Sequence, residues 1–214
     1  MTEARLWIKV CGLRTVEAVE AAVEAGADAV GLVFHEASPR NLALDAARAL
    51  ATAVPSSVAT VAVFRHPTQA LLEAVLEAVR PDWVQTDAED LAQLRVPDTQ
   101  RVLPVYRTGA GLARPDIHAR RFLVESASSG AGKRADWPAA ATLAQAGELV
   151  LAGGLDASNV GEAIATVRPF GVDVSSGVER ARGVKDPALI RAFVSTARKM
   201  GTLRINDDRT KAGK

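Results

Sequence analysis

The sequence is poor in cysteine, in excess charge of either sign and in long apolar stretches. Its 214 residues include one cysteine, Cys11, so no internal disulfide can form, as is typical of proteins in a reducing compartment. The net charge of +1 favours neither nucleic acid nor an anionic membrane as a partner. No apolar stretch approaches the ~20 residues that span a membrane, and the first residues lack the features of a secretion signal. We therefore expect a cytoplasmic protein without a membrane segment.

Side chains that commonly bind transition metals are few and scattered along the chain. The histidines are His35, His66 and His118, and their spacing from one another and from Cys11 does not match that of known metal ligands. The sequence therefore predicts no metal site.

Short apolar runs alternate with alanine-rich helical stretches along most of the chain. The predicted strands are 6–10, 29–34, 58–64, 83–85, 101–106, 121–125, 148–151 and 171–174. Such alternation is typical of a parallel sheet covered by helices, and eight units in this length favour a single-domain (β/α)8 TIM barrel over an open doubly wound sheet. We assign residues 1–203 to the barrel and expect the polar segment 204–214 to be a disordered tail.

Two glycine-containing turns follow the seventh and eighth predicted strands. Gly153 and Gly154 follow strand 7, and Ser175, Ser176 and Gly177 follow strand 8. In a barrel these two loops are the usual phosphate site, because glycine lets backbone N–H groups approach phosphate oxygens. Gly153 and Gly154 alone could form only a tight turn, but the pair of loops favours phosphate binding.

The single cysteine lies at the end of the first predicted strand, directly before Gly12. A lone cysteine is more often a small buried hydrophobic residue than a reactive group. A thiol becomes a useful base only beside a cation or a favourable dipole. Lys9 lies two residues before Cys11, so in a strand both side chains point to the same face.

Three charged residues near strand ends are candidates for substrate contacts or proton transfer. Glu125 ends a strand where an apolar residue would be expected, so its carboxyl group could donate a proton, although a salt bridge to an arginine explains it equally well. Asp173 in strand 8 is a second carboxylate near the same rim, with the same alternative. Arg40, after strand 2, suits a substrate carboxylate, although an arginine on a loop is often only solvated.

Segments along nearly the whole chain together carry a resemblance to a known family. They are 9–12 (KVCG), 26–34 (GADAVGLVF), 38–40 (SPR), 63–64 (VF), 130–133 (GAGK), 136–137 (DW), 151–155 (LAGGL), 159–160 (NV) and 173–179 (DVSSGVE). With these segments the sequence resembles phosphoribosylanthranilate isomerase of tryptophan biosynthesis. The resemblance implies an Amadori rearrangement of a small phosphoribosyl substrate without cofactor or metal, in a protein that we expect to be a monomer or homodimer.

The resemblance also implies roles for individual residues. The family's general base carries over to Cys11, and its carboxylate-binding arginine to Arg40. The loops after strands 7 and 8 would hold the phosphate. The family's general acid is an aspartate, and Glu125 occupies its position.

Three departures from the family pattern leave alternatives open. The acid position holds Glu125, the strand-4 motif Gln-Leu-His-Gly reads QTDA over residues 85–88, and the loop after strand 6 holds Ala131 and Ala135. One alternative is the aminoaldose isomerase of histidine biosynthesis, which Cys11 argues against. Another is a phosphate-binding barrel with weakened or lost catalysis.

Overall fold

Eight parallel strands close into a barrel in the computed structural model, which describes residues 5–108, 119–126 and 134–212. The strands are β1 Trp7–Cys11, β2 Ala29–Phe34, β3 Ala59–Phe64, β4 Trp83–Asp87, β5 Arg101–Thr108, β6 Arg121–Ser126, β7 Glu148–Leu151 and β8 Gly171–Val174. Each strand pairs with its neighbours in the sequence, and β8 pairs with β1 to close the ring. The predicted (β/α)8 barrel is confirmed.

Helices cover the outside of the barrel. Those in the described residues are α1 Val16–Glu24, α2 Leu44–Thr52, α3 Gln69–Val79, α4 Ala88–Leu91, α5 Trp137–Leu143, α6 Val160–Val167 and α7 Pro187–Ala212. Local sequence determines where several of them begin. The hydroxyl groups of Thr15 and Thr68 accept hydrogen bonds from backbone N–H groups in the first turns of α1 and α3, which satisfies donors that lack a partner within the helix.

Burial on both faces explains why the strands read as continuous apolar runs. The larger apolar cluster fills the space between strands and helices. A smaller cluster lies inside the barrel, formed by Leu103, Val105, Leu123, Val150 and Ala152. This interior packing leaves the cavity at the carboxyl ends of the strands.

An arginine surrounded by aromatic rings closes the amino-terminal end of the barrel. The Arg121 guanidinium carbon lies 4.3 Å from the centre of the Phe170 ring, and it also stacks on Trp7 and Trp83. Glu148 accepts hydrogen bonds from its Nε and Nη2 at 2.9 and 2.7 Å. The charge is thus paired, while the rings bury the rest of the side chain.

Several features differ from the sequence prediction or lie beyond it. The sequence predicts that the barrel ends at residue 203 and that a tail begins at 204. Helix α7 extends past that boundary and ends at Ala212. After β8 comes an unpredicted 3-10 turn, Ser176–Val178, and a hairpin of β9 Glu179–Ala181 and β10 Val184–Lys185. The region after strand 5 at 109–118 and the segment 130–133, with Ala131, lie outside the described residues.

In the part of the chain that the structure describes, none of the helices combines the length and the apolar character that crossing a bilayer requires.

Candidate active site

A cavity of about 280 Å³ opens at the carboxyl ends of the strands. Five residues singled out from the sequence line it: Cys11, Arg40, Glu125, Asp173 and Ser175. They lie on or after β1, β2, β6 and β8 and are brought together because all strands of a parallel barrel end at the same face. The remaining predicted residues, Gly153, Gly154, Ser176 and Gly177, belong to the adjoining loops.

Cys11 lies beside a buried ion pair. Lys9 is completely buried, and its Nζ donates a hydrogen bond of 2.9 Å to Oδ1 of Asp173. The two residues are register partners across β1 and β8. Lys9 and Cys11 share the inner face of β1, as the alternation of the strand predicts. Asp173 therefore forms a salt bridge with Lys9. A salt bridge is the alternative to a functional role that the sequence leaves open for this residue.

Burial and charge act in opposite directions on the thiol. Burial raises the pKa of Cys11, the ammonium groups of Lys9 and Lys185 lower it, and the net result lies above the ordinary thiol value. Burial alone would lower the pKa of Lys9, but Asp173 and Cys11 outweigh that effect and raise it. Lys9 consequently stays charged, and Cys11 in the free protein is a neutral thiol next to a cation.

Gly31 on β2 provides the space that Cys11 and Lys9 occupy. It is the register partner of Cys11. A Cβ atom at position 31 would lie 2.8 Å from Sγ of Cys11 and 3.2 Å from Nζ of Lys9. No ordinary side chain fits there without moving these groups.

Arg40 is buried and paired, in contrast to the expectation of an open or solvated guanidinium. Its Nε and Nη2 donate hydrogen bonds of 2.7 and 2.9 Å to the two carboxylate oxygens of Glu179. The side chain crosses Gly12, where a Cβ atom would lie 2.5 Å from Cδ of Arg40. Glu179 therefore engages two of the three guanidinium nitrogens, and the contact between Arg40 and a substrate carboxylate stays a prediction.

The hairpin after β8 contributes a lysine that sequence reasoning missed. Nζ of Lys185 donates hydrogen bonds to the backbone oxygen of Ser175 at 2.8 Å and to Oε1 of Glu179 at 2.9 Å. Burial raises the pKa of Glu179, but the hydrogen bonds from Arg40 and Lys185 dominate and lower it to about 2. In the sequence, the only indication that Glu179 belongs to the site is its position at the end of the strand-8 motif. No sequence feature indicates that Lys185 belongs to it.

Glu125 is also paired, and its partner was missed as well. Arg107 on β5 is the register partner of Glu125 on β6, and its Nη1 donates a hydrogen bond to Oε1 of Glu125. Nη2 of Arg107 donates a second hydrogen bond, of 2.6 Å, to Oδ1 of Asp87 at the end of β4. The arginine salt bridge considered for Glu125 is therefore present, inside the cavity wall. Arg107 and Glu125 both line the cavity.

A histidine and two carboxylates form a cluster at the rim. Ligand atoms of His66, Asp87 and Asp90 lie within 4.8 Å of one another, a set that could hold a metal ion. Asp90 already accepts hydrogen bonds from the backbone N–H of His66 and from the hydroxyl of Thr86. Burial raises the pKa of Asp90, but the hydrogen bond with the His66 ring, together with those from the Thr86 hydroxyl and the His66 backbone, lowers it below the ordinary value. The cluster involves a histidine whose partners are distant in sequence, so spacing alone did not reveal it.

The two predicted phosphate loops lie against each other. Gly153 and Gly154 have φ values of +89° and +65°, which favour glycine. A Cβ atom on Gly177 would collide with the backbone oxygen of Leu155 in the strand-7 loop. Ser175 Oγ donates a hydrogen bond of 3.1 Å to the backbone oxygen of Cys11, which links these loops to β1.

Comparison with known families agrees with this geometry. A family model described as N-(5'-phosphoribosyl)anthranilate (PRA) isomerase matches residues 8–196. The N-(5'-phosphoribosyl)anthranilate isomerase of Afipia carboxidovorans is 42% identical over 209 residues, covering 90% of this chain and 89% of that protein. The enzyme of the same name from Rhodopseudomonas palustris is 39% identical over 208 residues, covering 89% and 97%.

Solved structures show the same similarity. TrpF from Jonesia denitrificans superposes with a TM-score of 0.76 at 36% identity, covering 91% of this chain and 98% of that one. A phosphoribosyl anthranilate isomerase in complex with reduced 1-(o-carboxyphenylamino)-1-deoxyribulose 5-phosphate gives a TM-score of 0.78 at 30% identity, covering 91% and 99%.

Proposed function

The chain belongs to the N-(5'-phosphoribosyl)anthranilate isomerase family, and we propose that Cys11 is the general base and Glu125 the general acid of its reaction. The chain is thus an isomerase of tryptophan biosynthesis. It catalyses the Amadori rearrangement that converts N-(5-phosphoribosyl)anthranilate to 1-(2-carboxyphenylamino)-1-deoxyribulose 5-phosphate. The observation that carries the proposed roles is that both side chains line one cavity, in which Cys11 lies beside the cation that a thiolate requires.

The reaction needs one proton delivered and one removed. The acid protonates the ring oxygen of the ribose as the ring opens to a Schiff base. The base then takes the proton from C2, and the electron pair moves toward the imine nitrogen to form the enolamine, which becomes the ketone. Cys11 can act as this base only as a thiolate, and the ammonium groups of Lys9 and Lys185 stabilise that charge.

Asp173 acts on the base through Lys9 rather than on the substrate. Its carboxylate accepts a hydrogen bond from Lys9 and thereby keeps the ammonium charged and fixed beside Cys11. We propose this role for Asp173 in place of the substrate contact that the sequence predicts. It also accounts for a fully buried lysine inside the barrel, since such a charge requires a hydrogen-bonded partner.

The anionic ends of the substrate meet two different parts of the site. We expect the loops around Gly153, Gly154 and Ser175 to Gly177 to surround the phosphate. Nη1 of Arg40 contacts no acceptor among the described residues, so this nitrogen is the one that can reach the anthranilate carboxylate. Glu179 then serves to orient Arg40.

The histidine-pathway aminoaldose isomerase is not favoured, since the family match and the relatives agree on the tryptophan-pathway enzyme. A barrel that binds the phosphate without catalysis differs from the proposal in one measurable way. It would bind a reduced product analogue but would not consume the substrate. The cytoplasmic location and a monomeric or homodimeric state stay predictions.

Replacement of the two proposed catalytic groups tests the assignment. We expect Cys11→Ala to lower kcat by about 10²–10⁴-fold, the usual contribution of general acid–base catalysis, and Glu125→Gln to do the same. Glu125→Asp should retain much of the activity, because it keeps the acid. Substrate loss is followed by fluorescence, and binding of the reduced product analogue is measured in parallel.

Asp45→Asn is the control, since its carboxylate is 96% exposed and lies on the outer helix α2. Wild-type turnover by Cys11→Ala would overturn the assignment of the base. Wild-type turnover by Glu125→Gln would move the acid role to another carboxyl group, such as Asp87. Absence of turnover in the unmodified protein, together with binding of the analogue, would support the non-catalytic barrel.

A further inference from the structure

Arg107 joins two carboxylates that belong to different strands. One of its terminal nitrogens donates to Glu125 on β6 and the other donates to Asp87 on β4. The Arg107 side chain lies in the cavity wall and is 24% exposed, whereas the side chains of Glu125 and Asp87 are 13% and 12% exposed. A planar fork with both arms engaged is held more firmly than one with a single partner.

The strand register explains why these groups meet. Arg107 and Glu125 are direct partners across β5 and β6. Asp87 is the partner of Val105, which lies two residues before Arg107 on the same face of β5. All three charged side chains therefore point into the barrel at the same end of neighbouring strands.

We propose that Arg107 is a positioning residue for the acid step: it holds Glu125 in line with the reacting oxygen and is itself anchored by Asp87. This inference rests on the proposed role of Glu125. A glutamate has one more rotatable bond than the aspartate that the family pattern has at this position, so its carboxyl group requires an additional restraint. Arg107 supplies that restraint from the adjacent strand.

The arrangement also balances charge. Two carboxylates held on adjoining parts of one wall repel each other, and the guanidinium between them offsets this repulsion. Loss of Asp87 alone would leave Arg107 attached to Glu125 by one arm. We therefore expect Asp87 to influence the reaction through Arg107 and not by direct contact with the substrate.

A double-mutant cycle tests the proposal. We expect Arg107→Gln to lower kcat by about 10–100-fold, since a displacement of ~1 Å at a reacting group can cost about 10²-fold. KM should change by less than about 3-fold, because the effect is on the proton transfer and not on binding. In the Glu125→Gln background the same substitution should change kcat by less than about 2-fold, because the group that it positions is already lost.

Conservative and matched variants separate positioning from folding. Arg107→Lys should recover part of the activity, since one ammonium group can hold one carboxylate but not both. Asp87→Asn should lower kcat in the wild type and have little effect in Arg107→Gln. Arg101→Gln is the control, because it removes the same charge from the same strand at the opposite end of the barrel, where Arg101 is 59% exposed. Thermal denaturation reports whether each variant is folded.

Equal losses of kcat from Arg107→Gln in both backgrounds would overturn the proposal, as would a rise in KM with unchanged kcat. If Arg107→Gln does not fold, the same cycle with Arg107→Lys decides. These results are distinct from failure of the proposed acid role, which Glu125→Gln reveals by retaining full activity while Arg107 is intact.

Discussion

Replacement of Gly31 by alanine adds one methyl group against the proposed base. Gly31 lies on β2 directly opposite Cys11. The new Cβ would be 2.8 Å from Sγ and 3.1 Å from Cα of Cys11, and 3.2 Å from Nζ of Lys9. The usual separation of such atoms is about 3.5–4.0 Å. The thiol must therefore move by more than half an ångström or the two strands must separate.

The expected cost follows from these distances. Neither strand can move freely, because β2 is bonded to β1 on one side and to β3 on the other. Overpacking of this kind typically lowers the free energy of unfolding by about 1–3 kcal/mol. For a chain of this length, a loss of about 2 kcal/mol corresponds to a fall in Tm of about 4–8 °C. We expect kcat to fall by about 10–100-fold, because the Cys11 sulfur would no longer be aligned with the proton on C2 of the substrate.

Thermal denaturation and steady-state kinetics of Gly31→Ala measure the two effects separately. Gly161→Ala in helix α6 is the matched control: there the three atoms nearest to the added Cβ all belong to the flexible side chain of Met200, at 3.3 Å or more. Alanine also favours the helix by up to about 1 kcal/mol, so this variant should be active and at least as stable as the wild type. Wild-type kcat and Tm for Gly31→Ala would refute the claim that Gly31 reserves the space for Cys11.

Two further predictions concern charges held inside the fold. Glu179→Gln should reduce the unfolding free energy at neutral pH by up to about 3 kcal/mol, because the carboxylate has a pKa of about 2 beside Arg40 and Lys185. The difference from wild type should be full above about pH 4.5 and disappear as the pH falls toward about 2, since the folded-state pKa is depressed. Arg121→Leu should cost about 2 kcal/mol or more, because it removes a largely buried cation from three aromatic rings and leaves Glu148 without this partner.

Urea denaturation over a range of pH measures the first effect and thermal denaturation the second. Asp45→Asn is the control for Glu179, since its pairing with Arg48 is exposed and contributes little. Arg101→Leu is the control for Arg121, because Arg101 also stacks on Trp83 but is exposed. Equal losses in a variant and its control would show that burial of the charge is not the cause.

The register of a parallel barrel explains why much of the site could be predicted. Once eight strands are recognised, residues at their carboxyl ends must share one face, which brings Cys11, Glu125 and the loops after β7 and β8 together. Alternation within a strand placed Lys9 on the same face as Cys11. The family motifs added the roles proposed for them, but they did not show which neighbours hold each group.

The sequence by itself determined the barrel, the end at which its chemistry lies and the likeness to an isomerase family, because these depend on local pattern and strand order. Only the tertiary structure decided that Arg40 is held by Glu179, 139 residues away, and that Lys9 is held by Asp173, 164 residues away. It also decided that Arg107 joins Glu125 to Asp87. Such pairings depend on side-chain reach and on competition for partners in a closed cavity. Spacing along the chain does not encode either one.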